Sequence, residues 1–397
     1  MRWTLTILGV SVLVLLGGGF MLLASAGEET GRALYNSADY FVTHQAIWLG
    51  VAMVFMLVAA FFDYHNWRRF PYLTICLYAV VVALMVAVLF APETKGSHRW
   101  LRLVGSVRLQ PSELGKIFVV ISTAVFLDWA GWRIEKFWKG AVPAVMIVGV
   151  LMGLAVAEPD FGATMVIGLA GGMLCFIGGM RILHIILMGG GALAAVGTLL
   201  VFNPNRMRRI VAWLPDSART TLESGLASVG QPMPTESATN NPAAYQLSQA
   251  LVAISHGGPF GVGYTKSMQK KFYLPEAHTD FIFAIGAEEL GLVFSILLLT
   301  VFTVFFICGI RIALRAPDRL GRLLAFGMTF LVFFQVLFNI GVVTGCLPTK
   351  GLALPFISYG GTNLMTSMIA VGILFNIGRQ IELPKPRPRS TISPVFS

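Results

Sequence analysis

Apolar runs, each of a length suited to a bilayer, follow one another along this chain, separated by short polar gaps and by one long polar stretch. A helix needs about 20 mostly apolar residues to cross the hydrocarbon layer. The runs fall at 5 to 26, 44 to 62, 70 to 91, 111 to 128, 141 to 157, 162 to 180, 182 to 202, 282 to 308, 323 to 346 and 354 to 378. They predict an all-α integral membrane protein of ten transmembrane helices, with one large extracytoplasmic loop, 203 to 281, between helices seven and eight.

Orientation follows from the short basic loops, which stay in the cytoplasm. Arg68 and Arg69, then Arg133, Lys136 and Lys139, then Arg181, then Arg311, Arg315, Arg319 and Arg322, and last Arg379, Lys385, Arg387 and Arg389 all share one side when the N-terminus is cytoplasmic. Both termini then lie inside. The outer side is basic as well: Lys95, Arg99, Arg102, Arg108 and Lys116 surround one loop, and Arg206, Arg208, Arg209, Arg219, Lys266, Lys270 and Lys271 lie in the long one. Long segments translocate largely regardless of charge, so the topology holds. An anionic ligand at the outer face is a natural reason for these cations.

Within the long stretch, Asn205 to Leu214 puts Met207, Ile210, Val211 and Leu214 on one helical face, as in an interfacial helix. Residues 224 to 243, rich in Ser, Pro, Thr and Asn, read as a flexible loop. Tyr245 to Ile254 reads as a short helix stopped by His256-Gly257-Gly258-Pro259. The membrane domain is expected over 1 to 380, followed by a disordered cytoplasmic tail, 381 to 397. Arg2, the apolar stretch from Leu5 and Ala24-Ser25-Ala26 also have the form of a secretory signal; the length of the run and the polytopic remainder favour a retained first helix.

Composition supports this picture and narrows the partners. The 397 residues are 56% hydrophobic and only 12% charged, against roughly 25% charged in soluble domains. A net charge of +10 would suggest nucleic acid in a soluble protein. Here the cations sit between apolar runs, so lipid headgroups or a phosphate-bearing substrate account for them instead. Cys76, Cys175, Cys308 and Cys346 lie in or beside apolar runs, without metal-site or disulfide spacing.

Ionisable groups near a bilayer cost roughly 2.5 to 3.5 kcal/mol at a helix centre, so the few present carry information. The densest set runs from Lys270-Lys271 through Glu276, His278 and Asp280, directly before the apolar Phe281 to Ala284 and then Glu288-Glu289. Asp280 reads as a helix N-cap, a general base, or a ligand of a metal or headgroup. A second set is His98-Arg99-Trp100 with Gln110-Pro111-Ser112-Glu113-Leu114-Gly115-Lys116. There Pro111 and Glu113 suit a helix start, and Lys116 either pairs with Glu113 at i, i+3 or contacts phosphate. A third is Gly345 to Gly351 followed by Leu354-Pro355-Phe356-Ile357-Ser358-Tyr359-Gly360-Gly361. Prolines and paired glycines at membrane depth imply broken helix, a feature of transporter binding sites. Glu158-Pro159-Asp160-Phe161-Gly162 reads as a short outer turn.

These blocks carry a resemblance. The stretches Tyr273 to Gly291, Gln110 to Lys116 and Leu354 to Gly361, in this order around a large outer loop, resemble the SEDS family (shape, elongation, division and sporulation). Pro275-Glu276-Ala277-His278 and Pro348-Thr349-Lys350-Gly351 resemble its division (FtsW) and sporulation branches more than its RodA branch; Thr362-Asn363 departs from the small hydroxyl pair usual there. The resemblance implies a peptidoglycan glycosyltransferase that joins lipid II units at the outer face of the plasma membrane, at the division septum, with undecaprenyl pyrophosphate leaving. It places the essential acid at Asp280. Arg99, Lys116, Lys270 and Lys271 become candidates for pyrophosphate contact, and Glu113, Glu276, His278 and Ser358 for other substrate contacts. No cofactor is required by the pattern; a divalent cation, Mg2+ or Mn2+, is open to share the charge without a clean ligand set. Expected partners are lipid II, a class B penicillin-binding transpeptidase and other division proteins, with no nucleic acid. A lipid II flippase and a non-catalytic division scaffold are the competing readings.

Overall fold

The structure is a computed structural model that describes residues 1–92, 99–102, 108–201, 242–271, 273–348 and 351–382. Its helices are α1 (Arg2–Ala26), α2 (Glu28–Tyr35), α3 (Tyr40–Phe61), α4 (Asn66–Arg69), α5 (Pro71–Leu89), α6 (Pro111–Ala130), α7 (Val142–Ala157), α8 (Phe161–Ile177), α9 (Ile182–Val201), α10 (Pro242–Gly257), α11 (Ile282–Arg315), α12 (Arg319–Val343) and α13 (Gly361–Gln380). One antiparallel pair of two-residue strands, β1 (Leu101–Arg102) and β2 (Arg108–Leu109), joins them. The chain is thus a helical, multi-pass membrane protein. The interfacial helix expected at 205 to 214, most of the loop at 224 to 243 and most of the tail lie outside the described residues.

Among the described residues, eight helices are long and apolar enough to cross a membrane: α1, α3, α5, α6 with its 3-10 extension to Glu135, α7 with the π turn before it, α11, α12 and α13. The two other expected spans coincide with α8, which is 17 residues long, and α9, both apolar. Their rank as crossings does not follow from length and composition alone. The last expected span, 354 to 378, needs correction. Its helix begins at Gly361, because residues 351–360 form turns, bends and irregular backbone. Leu354, Phe356 and Ile357 are buried there without being helical, so the apolar run overstates the helix.

Burial separates the layers. The apolar window of α13 is 83% buried and those of α6 and α12 are each 61% buried, whereas that of α3 is 11% and that of α5 22% buried. The first three therefore form the centre, and α3 and α5 turn most of their surface to lipid. α3 lies along α13, α1 along α11, and α6 touches α5, α7, α8, α12 and α13. Small residues permit the close approaches, as elsewhere in membranes: a side chain at Gly372 of α13 would collide with the Met56 carbonyl of α3.

α11 is broken near its start. Gly291 has φ +77° and ψ −168°, a conformation open to glycine, and a Cβ there would strike the backbone of Pro259 to Gly261. The loop after α10 fills the break: Val262 and Gly263 donate their amides to the carbonyls of Glu288 and Glu289 at 3.0 Å each, and Leu292 donates to the Gly258 carbonyl at 2.9 Å. Backbone groups freed by the unwinding are satisfied by protein, which is what such a break at membrane depth requires. α10 itself contains the expected helix of Tyr245 to Ile254 and starts three residues earlier, at Pro242.

Candidate active site

The segment before α11 and the segment before α13 are stitched together. The Ser358 hydroxyl donates to the Thr279 carbonyl at 2.6 Å and accepts from the Leu354 amide at 2.8 Å. The Tyr359 amide donates to the His278 carbonyl at 3.1 Å. From α12, the Asn339 amide group donates to the carbonyls of Asp280 at 2.7 Å and Leu352 at 2.6 Å. From α3, the Gln45 side chain donates to the Ser358 carbonyl at 3.1 Å and accepts from the Gly360 amide at 3.2 Å. Backbone is held by side chains on three sides, so the position of Asp280 is set by the fold.

Asp280 is half-buried at the mouth of α11. The cap position of that helix falls on Phe281, whose side chain makes no capping bond. The carboxylate faces Gly351 closely enough that a Cβ at 351 would meet Oδ2. Glu276, at φ +57°, accepts from the Thr279 hydroxyl at 3.1 Å. The half-buried His278 ring lies 4.2 Å from the Phe41 ring. Ser358, Glu276, His278 and Asp280 are thus gathered at one place.

The basic candidates divide. Lys116 is 1% exposed, and its ammonium donates to Glu113 Oε1 at 2.6 Å and Gln335 Oε1 at 3.0 Å. Lys270 is 3% exposed and donates to Ser25 Oγ at 2.8 Å, with Glu289 Oε1 at 3.2 Å. Beside it the buried Glu288 accepts from the Ser267 hydroxyl and from the Met268 amide at 3.1 Å, and meets His256 Nδ1 at 3.1 Å. Lys271 is exposed, and Arg99, half-buried, donates to the Pro159 carbonyl.

That contact leads to the third wall. Asp160 Oδ2 accepts from Gln110 Nε2 at 2.8 Å and the Ser112 hydroxyl at 3.2 Å, while its Oδ1 caps α8 through the Ala163 amide at 3.1 Å. Glu158 is fully buried beside them; burial first, then the Asp160 charge, lift its carboxyl to about 8 against the pull of Ser112 and Arg99. The turn reaches the mouth through Gly162, where a Cβ would lie 2.8 Å from the Leu352 side chain and 3.2 Å from the Gly351 carbonyl.

Asn339, Gln335 and Thr366 were not singled out by the sequence, and Ser25 was noted only within a signal-like stretch, although Gln335 and Asn339, four apart in an apolar helix, carry the general signal of polar groups at membrane depth. Among the described residues no three His, Cys, Asp or Glu side chains gather as metal ligands.

The sequence matches the family model described as "Cell cycle protein", that of FtsW, RodA and SpoVE, over residues 5–383. It is 36% identical over 383 residues to the "Probable peptidoglycan glycosyltransferase FtsW" of Geobacter sulfurreducens, covering 96% of each chain. Stage V sporulation protein E of Bacillus subtilis is 35% identical over 376 residues, covering 94% of this chain and 96% of the relative. Among solved structures, a chain from "Structural coordination of polymerization and crosslinking by a peptidoglycan synthase complex" is similar with a TM-score of 0.71 and 24% identity, covering 95% of this chain and 98% of that one. The rod shape determining protein RodA of Thermus thermophilus follows at a TM-score of 0.65 and 22% identity, covering 95% and 97%. At these identities the structural likeness speaks for the fold.

Proposed function

The chain belongs to the FtsW/RodA/SpoVE family of cell cycle proteins, and from that premise we propose that it is a peptidoglycan glycosyltransferase polymerising lipid II at the outer face of the plasma membrane during septal wall synthesis. The family match over nearly the whole chain carries the activity. One geometric observation carries the site: Asp280 stands half-buried directly before α11 with its carboxylate against Gly351, held in place through its carbonyl by Asn339.

In this reading α8 and α9 complete ten crossings, the termini are cytoplasmic, and the mouth of α11 opens outward. The acceptor sugar's 4-hydroxyl gives its proton to the Asp280 carboxylate as its oxygen bonds to the donor's anomeric carbon. The bond from that carbon to the pyrophosphate breaks, and undecaprenyl pyrophosphate leaves with the electron pair. Lys271 and Arg99, which form no ion pair among the described residues, contact the pyrophosphate, where positive charge offsets what builds on the leaving group. Glu113 with Lys116, and Glu289 with Lys270, hold the walls. Glu276, His278 and Ser358 order the segment that presents Asp280. No residue is assigned to Mg2+ or Mn2+, because the described acids and imidazoles do not gather as a ligand set. A class B penicillin-binding transpeptidase is the proposed partner, together with other division proteins.

The break in α11 at Gly291 and the unwound segment 351–360 also favour a second reading, lipid II translocation, since unwound helices line substrate paths in transporters. One assay separates the two. Purified wild type and Asp280→Asn, each with the cognate transpeptidase, are given labelled lipid II. Glycan strands from wild type and none from the folded variant support the base; equal product moves the base elsewhere; translocation without any product establishes transport.

A further inference from the structure

A line of aromatic rings runs outward from the mouth of α11. Tyr35, at the end of α2, and Tyr40, at the start of α3, lie face to face with centroids 3.6 Å apart and planes 1° apart. The buried Phe41 sets its edge against both, at 5.9 and 5.4 Å with planes near perpendicular. On its other side Phe41 meets His278 at 4.2 Å and Tyr359 at 4.9 Å. Ring contact is therefore continuous from Tyr35 to a residue two positions before Asp280.

Local structure fixes this arrangement. Asn36 ends α2 in the left-handed region at φ 54° and returns its amide to the Gly31 carbonyl, a helix-ending conformation that Asn adopts more readily than most residues. Ser37 bonds the same carbonyl at 3.3 Å, and a side chain on Gly31 would collide with the Ser37 carbonyl. The chain is thus folded back so that Tyr35 lands on Tyr40. Tyr35 remains 48% exposed although one face is covered by Tyr40, so its open surface is the opposite face and the hydroxyl edge. His44 lies 4.0 Å from Tyr40. Tyr40, Tyr35 and Arg108 all act electrostatically on the Tyr359 hydroxyl, which places polar groups around the rings.

We propose that Tyr35, Tyr40 and Tyr359 form a shelf beside Asp280 that holds the amino-sugar rings of the growing glycan strand by stacking. The inference rests on the glycosyltransferase reading and adds a product subsite to it. The occupant follows from chemistry and position. A β-linked sugar presents polarised C–H groups on its flat faces and hydroxyls at its rim. An aromatic face is electron-rich and attracts such edges, while the tyrosine hydroxyls, His44 and Arg108 suit the rim. The strand must leave from Asp280, and the shelf starts there. A tyrosine serving only as an interfacial anchor would need neither the parallel pair nor the connection to His278.

The test uses the full chain in nanodiscs and a soluble, lipid-free oligosaccharide of the alternating N-acetylated amino sugars as probe. Tyr35→Ala is expected to weaken binding about tenfold, and Tyr35→Phe, which keeps the face, by no more than about twofold. With labelled lipid II, Tyr35→Ala is expected to release shorter strands. Equal affinity and equal strand length in wild type and Tyr35→Ala overturn the shelf, as does a loss in Tyr35→Phe as large as that in Tyr35→Ala. Should Tyr35→Ala not fold, Tyr35→Leu keeps apolar volume without a flat face and decides in the same way. A wild type that makes no polymer defeats the glycosyltransferase reading separately, because the oligosaccharide affinities still decide the shelf.

Discussion

The acid at the mouth of α11 and the acids a turn or two along the same helix are built in opposite ways. Asp280 is half-buried, stands one residue before the cap position, and is fixed through its backbone by Asn339. Glu288 and Glu289 are completely buried; Glu288 is met by the Ser267 hydroxyl, His256 and the Met268 amide, and Glu289 through its Oε1 by Ser25 and Lys270. Lys116 with Glu113 and Gln335 repeats the second design on α6. A charge in a dry interior is tolerable only when paired and hydrogen-bonded, which leaves it little freedom to take a proton from a substrate. Among acids of one segment, the glycosyltransferase reading proposed above assigns the chemistry to the one at the edge.

The largest expected effect tests that division directly. Asp280→Asn should lower polymerisation by about 10²- to 10⁴-fold, the usual range for a lost general base, with the thermal midpoint unchanged. A midpoint that falls together with activity would return Asp280 to a structural role.

On the other side of the comparison, Lys270→Met leaves Glu289 buried without its cation. Losing one partner of such a pair costs about 3 to 5 kcal/mol, so thermal unfolding in micelles should shift strongly downward. A variant as stable as wild type would show that Ser25 and Ser267 alone satisfy Glu289.

Glu158 gives a pH-dependent version. Its carboxyl is lifted from 4.5 to about 8 in the fold, so the folded chain holds a proton that the unfolded chain has released. The stability linked to that proton is fully present below about pH 4.5 and declines as the pH rises to about 8, by up to about 1.4 kcal/mol per pH unit. Glu158→Gln should remove this decline and be the more stable form at pH 8. Parallel pH profiles of the two proteins, measured by thermal unfolding, would sink the assignment.

These contrasts also mark what the sequence could reveal. The apolar runs located the helices, and the short helix after Tyr245 was legible from its Gly-Gly-Pro stop, because both depend on neighbours in the chain. Pro355, Gly360 and Gly361 signalled the unwound segment, yet the last expected span was started seven residues before α13 begins, since Leu354 and Phe356 are apolar for burial and not for helix. The pairing of Glu289 with Ser25 joins residues 264 apart, and that of Lys116 with Gln335 joins residues 219 apart. Local pattern holds no trace of either. Lys116 is the instructive case: its i, i+3 spacing from Glu113 offered an ion pair, the phosphate reading offered a ligand, and the second contact, to Gln335, with the residue's burial shows the ammonium enclosed.

The smallest expected effect follows from that enclosure. Lys116→Met alone leaves Glu113 buried and should destabilise by about 3 to 5 kcal/mol, whereas Lys116→Met with Glu113→Gln removes both charges and should lie within about 1 kcal/mol of wild type, because exchanging a whole buried pair for neutral groups is often near neutral. Thr366 remains to bond the new amide. Activity in the double variant then sorts the two roles. Polymerisation within a few-fold of wild type fits a pair that fastens α6 to α12 and α13. A folded, stable and inactive double variant would mean that the ammonium leaves Glu113 to meet the pyrophosphate during the reaction, and the contrast between sealed and available charges would then describe only the resting state.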